Sequence, residues 1–279
     1  MRTRTAVLAA PVAVAAVLTS GPAAAAVPRT STPPCGSTLV QSVRLASDVV
    51  CPDGGALTLA ADGVELNLNG HRLVGPGAGG AGVVVAARDV VVRNGTITGW
   101  GAGVLAAPAD GDEDSPPSAT ATARALRIDR NGVGVSVGPE GSVLVRDSWI
   151  TGSRRGGDVS FGGRLRVENS TVADNTVGLW SFSIDRQGLV VRGSVVRGSS
   201  DAGIACGQDG HYDVAGSTLQ RNGTGVYAFE CNGRVVNSRF VWNTRHVDGF
   251  LVDEDVMELR CDTYSRDGLP LLFPATPCS

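Results

Sequence analysis

Residues 178–182 read Gly-Leu-Trp-Ser-Phe, 203–206 Gly-Ile-Ala-Cys and 225–229 Gly-Val-Tyr-Ala-Phe, and the fold follows from how these stretches recur. Val133-Gly134-Val135-Ser136-Val137 and Gly82-Val83-Val84-Val85 share their register. Each is short, rich in β-branched residues and bounded by Gly, Asn or Asp, which is the signature of a strand. A second family runs through 90–93, 143–146, 165–168, 189–192 and 234–236. An apolar residue closes each unit: Leu73, Ile97, Ile128, Ile150, Val172, Val196, Leu219, Phe240 and Tyr264. Successive gaps are 21 to 24 residues, apart from 31 between Ile97 and Ile128. A period of that length marks one supersecondary unit per repeat, stable only when stacked on its neighbours.

Strands of one family cannot form hairpins with each other, because some twenty residues intervene and the register never reverses. Each pairs in parallel with its counterpart one repeat on. Three strands and three corners per repeat, wound continuously, predict an all-β chain: a right-handed parallel β-helix of about nine coils. Two corner columns support the winding. Asn94, Asp147, Asn169, Gly193, Gly216 and Asn237 stand three residues before the closing position and tolerate a left-handed backbone. Asn131, Asn175, Asn222, Asn243 and Asp267 stand three residues after it and can hydrogen-bond up and down a ladder. Asn94, Asn169 and Asn222 also open glycosylation sequons, for which corner duty is explanation enough.

The first 26 residues read as a signal peptide. Arg2 and Arg4 precede an apolar stretch from Ala6 to Leu18, and Ala24-Ala25-Ala26 offers small residues for cleavage. Residues 27–279 are then a single β-helix domain, secreted and extracellular, expected to be a monomer. Removal of the leader leaves 22 Arg against 27 acidic residues and no Lys at all. That balance argues against nucleic acid or a membrane as partner, and the missing amine excludes lysine catalysis. Six cysteines in an oxidising compartment suggest three disulfides, and locality favours Cys35–Cys51, Cys206–Cys231 and Cys261–Cys278. The excursion at 106–122 carries Asp110, Asp112, Glu113 and Asp114 followed by Pro116-Pro117, and reads as an acidic surface loop. Its spacing is that of a calcium loop, but Ala121 occupies the twelfth position, so no cofactor is expected, with calcium the one alternative.

Leu66-Asn67-Leu68-Asn69-Gly70-His71, followed by Val92-Arg93-Asn94-Gly95-Thr96-Ile97, resembles the secreted bacterial β-helix repeat proteins of the pectate-lyase-like superfamily. Cys35 and Cys51 are similar to the amino-terminal cap of that group. The resemblance implies the fold, and a binding cleft along one parallel sheet and the loops that follow it. It implies no single activity, since the fold hosts lyases, hydrolases, epimerases and non-enzymes. Polygalacturonase-like enzymes carry Gly-His-Gly and Arg-x-Lys, whereas this chain has Gly70-His71-Arg72 and no Lys. Epimerase-like Asp-Pro-His-Asp has only a loose counterpart in Asp209-Gly210-His211-Tyr212-Asp213. Copper-binding β-helix relatives would need Met and His clusters, and Met257 is the one Met beyond the leader.

On the sheet matching that cleft, alternation sends Leu179, Ser181, Val226 and Ala228 inward. It sends Trp180, Phe182, Tyr227 and Phe229 outward, where a line of aromatic rings suits sugar faces. The loops after these strands carry Glu140, Asp185, Arg186, Asp209, His211, Asp213, Glu230, Asp253, Glu254 and Asp255. Carboxylates one coil apart suit a retaining glycosidase, and those two coils apart approach the inverting spacing. An Arg or His beside a uronate could instead abstract a C5 proton. The candidate catalytic set is therefore Asp185, Arg186, Asp209, His211 and Glu230, with no metal ligands. His71 fits a turn, and His246 has no evident partner. Two functions remain: a protein that binds an extracellular polysaccharide and cleaves or epimerises it, and a non-catalytic surface or matrix rod.

Overall fold

The computed structural model describes residues 28–106, 119–139, 141–183, 188–251 and 257–265. Ten short strands pair in parallel in one sheet, from Thr38–Leu39 to Arg245–Phe250. The other nineteen form a second sheet that bends at a corner within each coil. The result is a right-handed parallel β-helix of about nine turns.

The closing residues form one ladder in register, Leu73↔Ile97↔Ile128↔Ile150↔Val172↔Val196↔Leu219↔Phe240↔Tyr264. Every one of them up to Phe240 is fully buried. In the ten-stranded sheet the inward column runs Val83, Val104, Val135, Gly157, Leu179, Ile204, Val226 and Val247. Gly157 is the one gap. A Cβ there would stand 2.7 Å from both Leu165 and Leu179, so those leucines already fill the space.

The left-handed corner is found where the chain needed it, with φ of 60° at Asn94, 50° at Asp147, 46° at Asn169 and 52° at Asn237. Ala125 holds the same position in its coil at φ 51°. The Asn column is buried and bonded. The Trp100 N–H donates to Asn131 Oδ1 (2.9 Å), Asn131 N–H to Ser153 Oγ (3.2 Å), and Ser153 N–H to Asn175 Oδ1 (2.9 Å). The Ser199 Oγ is buried without a hydrogen-bond partner among the described residues, and from there the ladder resumes, Ser199 N–H donating to Asn222 Oδ1 and Asn222 N–H to Asn243 Oδ1. Asp267 lies outside the described residues.

A second ladder stands directly after the left-handed corner. Ser148, Ser170, Ser194, Ser217 and Ser238 each accept the N–H of the preceding coil's residue at 3.1–3.2 Å. Each hydroxyl also donates to the carbonyl two residues back, so both functions of every serine are used inside the coil wall.

Cys35 and Cys51 are bonded, with Cα atoms 5.7 Å apart, and staple the amino-terminal coil. Cys206–Cys231, at 6.2 Å, ties neighbouring coils. Cys261 is disulfide-bonded, and its expected partner Cys278 lies outside the described residues. Strand structure reaches Ala106 on one side of the acidic excursion and resumes at Ala119, so 106 and 119–122 belong to coils. Asp110, Asp112, Glu113 and Asp114, with the calcium alternative, lie outside the described residues, as does the leader.

Candidate functional site

The outer face of the ten-stranded sheet carries two aromatic rows. One rung of Trp180 is followed by Ala205, Tyr227 and Asp248, and one rung of Phe182 by Gly207, Phe229 and Phe250. Trp180 and Phe182 are half-buried, whereas Tyr227, Phe229 and Phe250 are exposed. Small residues at 205 and 207 leave low ground between the two ridges, which stand two strand spacings apart, about 10 Å. The low ground is partly covered: a Cβ on Gly207 would stand 3.5 Å from the Trp180 ring and 3.6 Å from Phe182.

Trp180 and Phe182 lie nearly parallel, 6.4 Å between centroids at 14°, and Phe161 meets Phe182 edge-on at 6.0 Å. Phe229 packs on Phe250 at 5.9 Å. Phe161 and Phe250 thus extend the aromatic face at either end. Phe250 was within reach of sequence reasoning, because one period added to Phe229 lands on it. Two ion pairs flank the rows, Arg155–Asp158 and Arg245–Asp248. The Arg155 guanidinium also sits 4.7 Å over the Trp180 ring.

Of the ionisable candidates, Asp209 and Glu230 occupy equivalent left-handed corners in adjacent coils, at φ 55° and 48°. The Asp209 N–H donates to the Glu230 carbonyl at 2.8 Å, which places the two residues one rung apart at the end of the aromatic strands. Asp209 is exposed and Glu230 partly so. Asp185, Arg186, Glu140, Asp253, Glu254 and Asp255 lie outside the described residues.

His211 begins the next strand, around the corner. Its backbone exchanges hydrogen bonds with the buried Ser181 hydroxyl, at 3.2 Å for its N–H and 2.7 Å for its carbonyl. Burial lowers the His211 pKa, with Asp213 opposing and Arg234 adding to the shift, which favours the neutral imidazole. Asp213 does not face the aromatic rows. Burial works against its charge, but Arg192 and Arg234 bond its carboxylate and outweigh it, holding the group below the usual carboxylate range. Tyr212, between them, is fully buried and its phenol pKa is raised by that burial.

The other histidines serve the fold. The His71 N–H closes a turn onto the Leu68 carbonyl at 2.8 Å, and its Nδ1 lies 3.3 Å from Asp48. His246 has partners after all. It is buried between Phe240 and Tyr264, with Nε2 3.1 Å from the Ser265 carbonyl and Nδ1 3.4 Å from Asn243.

With this geometry in view, residues 79–249 match the family model described as "Periplasmic copper-binding protein (NosD)". Among curated proteins, none matches. Two solved structures are similar over most of the chain, both A-modules of mannuronan C-5 epimerases from Azotobacter vinelandii. AlgE6 aligns at 12% identity and TM-score 0.43, covering 87% of this chain and 90% of its own. AlgE4 aligns at 12% identity and TM-score 0.35, covering 88% and 91%. Neither likeness, at that identity and score, bears on activity.

Copper would require clustered imidazole, thioether or thiolate donors. The chain has three His, at 71, 211 and 246, each in a different coil, and the two rings of His246 and His71 are engaged as above. Among the described residues there is no free cysteine and no group of three or more His, Cys, Asp or Glu able to hold a metal. These residues do not fit a copper site. No helix among the described residues is long and apolar enough to cross a membrane.

Proposed function

We propose that this chain, which belongs to the NosD family, is an exported protein that binds a polysaccharide along the aromatic rows of its ten-stranded sheet. The observation that carries the reading is the register Trp180↔Ala205↔Tyr227 beside Phe182↔Gly207↔Phe229. Two aromatic ridges with low ground between them accept the apolar faces of successive sugar rings while the hydroxyls stay in water. Asp209 and Glu230, at the strand ends, are the carboxylates available to bond those hydroxyls and to act as acid and base in any cleavage or epimerisation. Export agrees with disulfide use and with a family described as periplasmic.

The test is calorimetric titration of the protein with neutral and uronate polysaccharides, alongside assays for new reducing or unsaturated ends. Trp180→Ala and Tyr227→Ala should each weaken binding about fivefold, the loss of ~1 kcal/mol of aromatic packing. Asp209→Asn with Glu230→Gln should leave binding nearly intact and abolish whatever turnover the wild type shows. Absence of any glycan signal sinks the reading.

The rigid-rod alternative draws on one specific feature: Arg155 and Phe182 already cover part of Trp180. It is told apart by predicting no glycan signal from any of these proteins.

A further inference from the structure

We propose, resting on the polysaccharide reading of the aromatic rows, that this site selects a cationic amino-sugar polymer through the carboxylates of Asp209 and Glu230. The rows set the shape of what binds, and the strand ends beside them set its charge.

Phe182, Gly207 and Phe229 stand in register where the strands of the ten-stranded sheet end. Glu230 directly follows Phe229, and Asp209 lies two residues beyond Gly207. Both sit at left-handed corners, which leave Asp209 exposed and Glu230 partly so. The backbone bond between them keeps the two residues one rung apart, ~4.8 Å along the helix axis. Among the described residues, no cation lies within ion-pair distance of either carboxylate.

The cations bordering the rows are engaged elsewhere. Arg155 is held by Asp158 and lies over the Trp180 ring, and Arg245 is held by Asp248. Arg154 is exposed, but it precedes the six-residue strand Arg155–Ser160, about 20 Å from the carboxylate end of the sheet. Arg164 is exposed around the corner on the other sheet, two rungs from His211. Burial favours the neutral form of His211 itself. The aromatic platform is thus edged by net negative charge where its strands end.

An amino sugar fits both features. In a glucosamine unit the substituents are equatorial, so the flat faces carry only C–H groups and can pack on Tyr227 and Phe229. The C2 ammonium projects sideways from the ring edge, where a carboxylate at the strand end can form a charge-assisted hydrogen bond with it. A polymer brings successive ammonium groups and so offsets the repulsion between Asp209 and Glu230 themselves. A uronate polymer would bring like charge to an acidic edge, on a chain whose formal charge is already −3. A basic peptide would supply the charge but no flat rings for the ridges at Trp180 and Tyr227.

The probes are glucosamine oligomers, the same oligomers fully N-acetylated, and oligogalacturonate. They are titrated into the exported protein in mildly acidic buffer, where the amines and the carboxylates are both charged. The glucosamine form should bind about tenfold tighter than the acetylated one, a preference that shrinks as salt rises. Oligogalacturonate should bind weakest. Asp209→Asn with Glu230→Gln should erase the preference and leave affinity for the acetylated oligomer unchanged, whereas Trp180→Ala should weaken both. Equal affinity for the two forms, a preference that survives in the double variant, or tighter binding of oligogalacturonate overturns the proposal and leaves the polysaccharide reading standing. Glucosamine binding untouched by Trp180→Ala, or tighter binding of an oligo-arginine peptide, overturns it by placing the charge effect off the rows. No glycan signal from any probe sinks the polysaccharide reading and this proposal with it.

Discussion

Asn243 Oδ1 receives two hydrogen bonds from Asn222 one coil below it, from the backbone N–H at 2.9 Å and from Nδ2 at 3.0 Å. Asn222 in turn accepts the Ser199 N–H at 3.0 Å and donates to the Val196 carbonyl at 3.1 Å. All of this happens inside a buried corner, where each group left alone would lose water without gaining a partner.

Asn222→Ala should therefore destabilise the protein by on the order of 3 kcal/mol, because several buried groups lose partners together. Asn222→Ser should cost less, since Ser153 fills the same column in another coil and its hydroxyl accepts the Asn131 N–H. Thermal melts of the two variants check the order. Equal melting of Asn222→Ala and wild type would show that the ladder contributes nothing.

Asp262 ends the serine ladder by accepting the Ser238 N–H at 2.7 Å. Burial pushes its carboxyl up to about 6 from 3.8, against the opposing backbone hydrogen bonds from Ser238 and Arg260. Between those two values the folded protein holds a proton that the unfolded chain has released. Stability from this group is thus highest below pH 3.8, falls as pH rises towards about 6, and then levels off. Asp262→Asn should raise the melting temperature at pH 7.5 and change it little near the acid end of that window. A variant whose melting curve follows the wild type at both pH values would disprove the coupling.

Copper should neither bind stoichiometrically nor shift the melting temperature, despite the family's description. The donors are too few and too widely separated among the described coils. Competition against a chelator of graded strength measures this directly, and a tight one-to-one complex would refute it.

Several features of the site needed more than a period to be seen. The strand Arg155–Ser160 escapes a search for β-branched residues because its centre is Gly156-Gly157-Asp158. Its membership is decided by Leu165 and Leu179 occupying the room that Gly157 leaves. The serines of the second ladder recur at the right interval, yet a serine after a corner is unremarkable until its Oγ is seen to face the next N–H. His246 had no legible partner, because Asn243, Phe240 and Tyr264 converge on it from two coils.

What the sequence determined by itself was the class of the fold, the left-handed corners at Asn94, Asp147, Asn169 and Asn237, and which side of each strand faces in. These are local requirements, set by backbone sterics and two-residue alternation and repeated coil after coil. Register between coils was legible too, since one shared period already puts Trp180, Ala205 and Tyr227 in a row, and in a sheet a slip of one residue would have turned those rings into the core. Only the tertiary structure decided which side chains of different columns meet: Phe240, Asn243 and Tyr264 close on His246, and Leu165 and Leu179 fill the room left by Gly157. Those contacts depend on how separate strands pack across the coil, which no local requirement fixes.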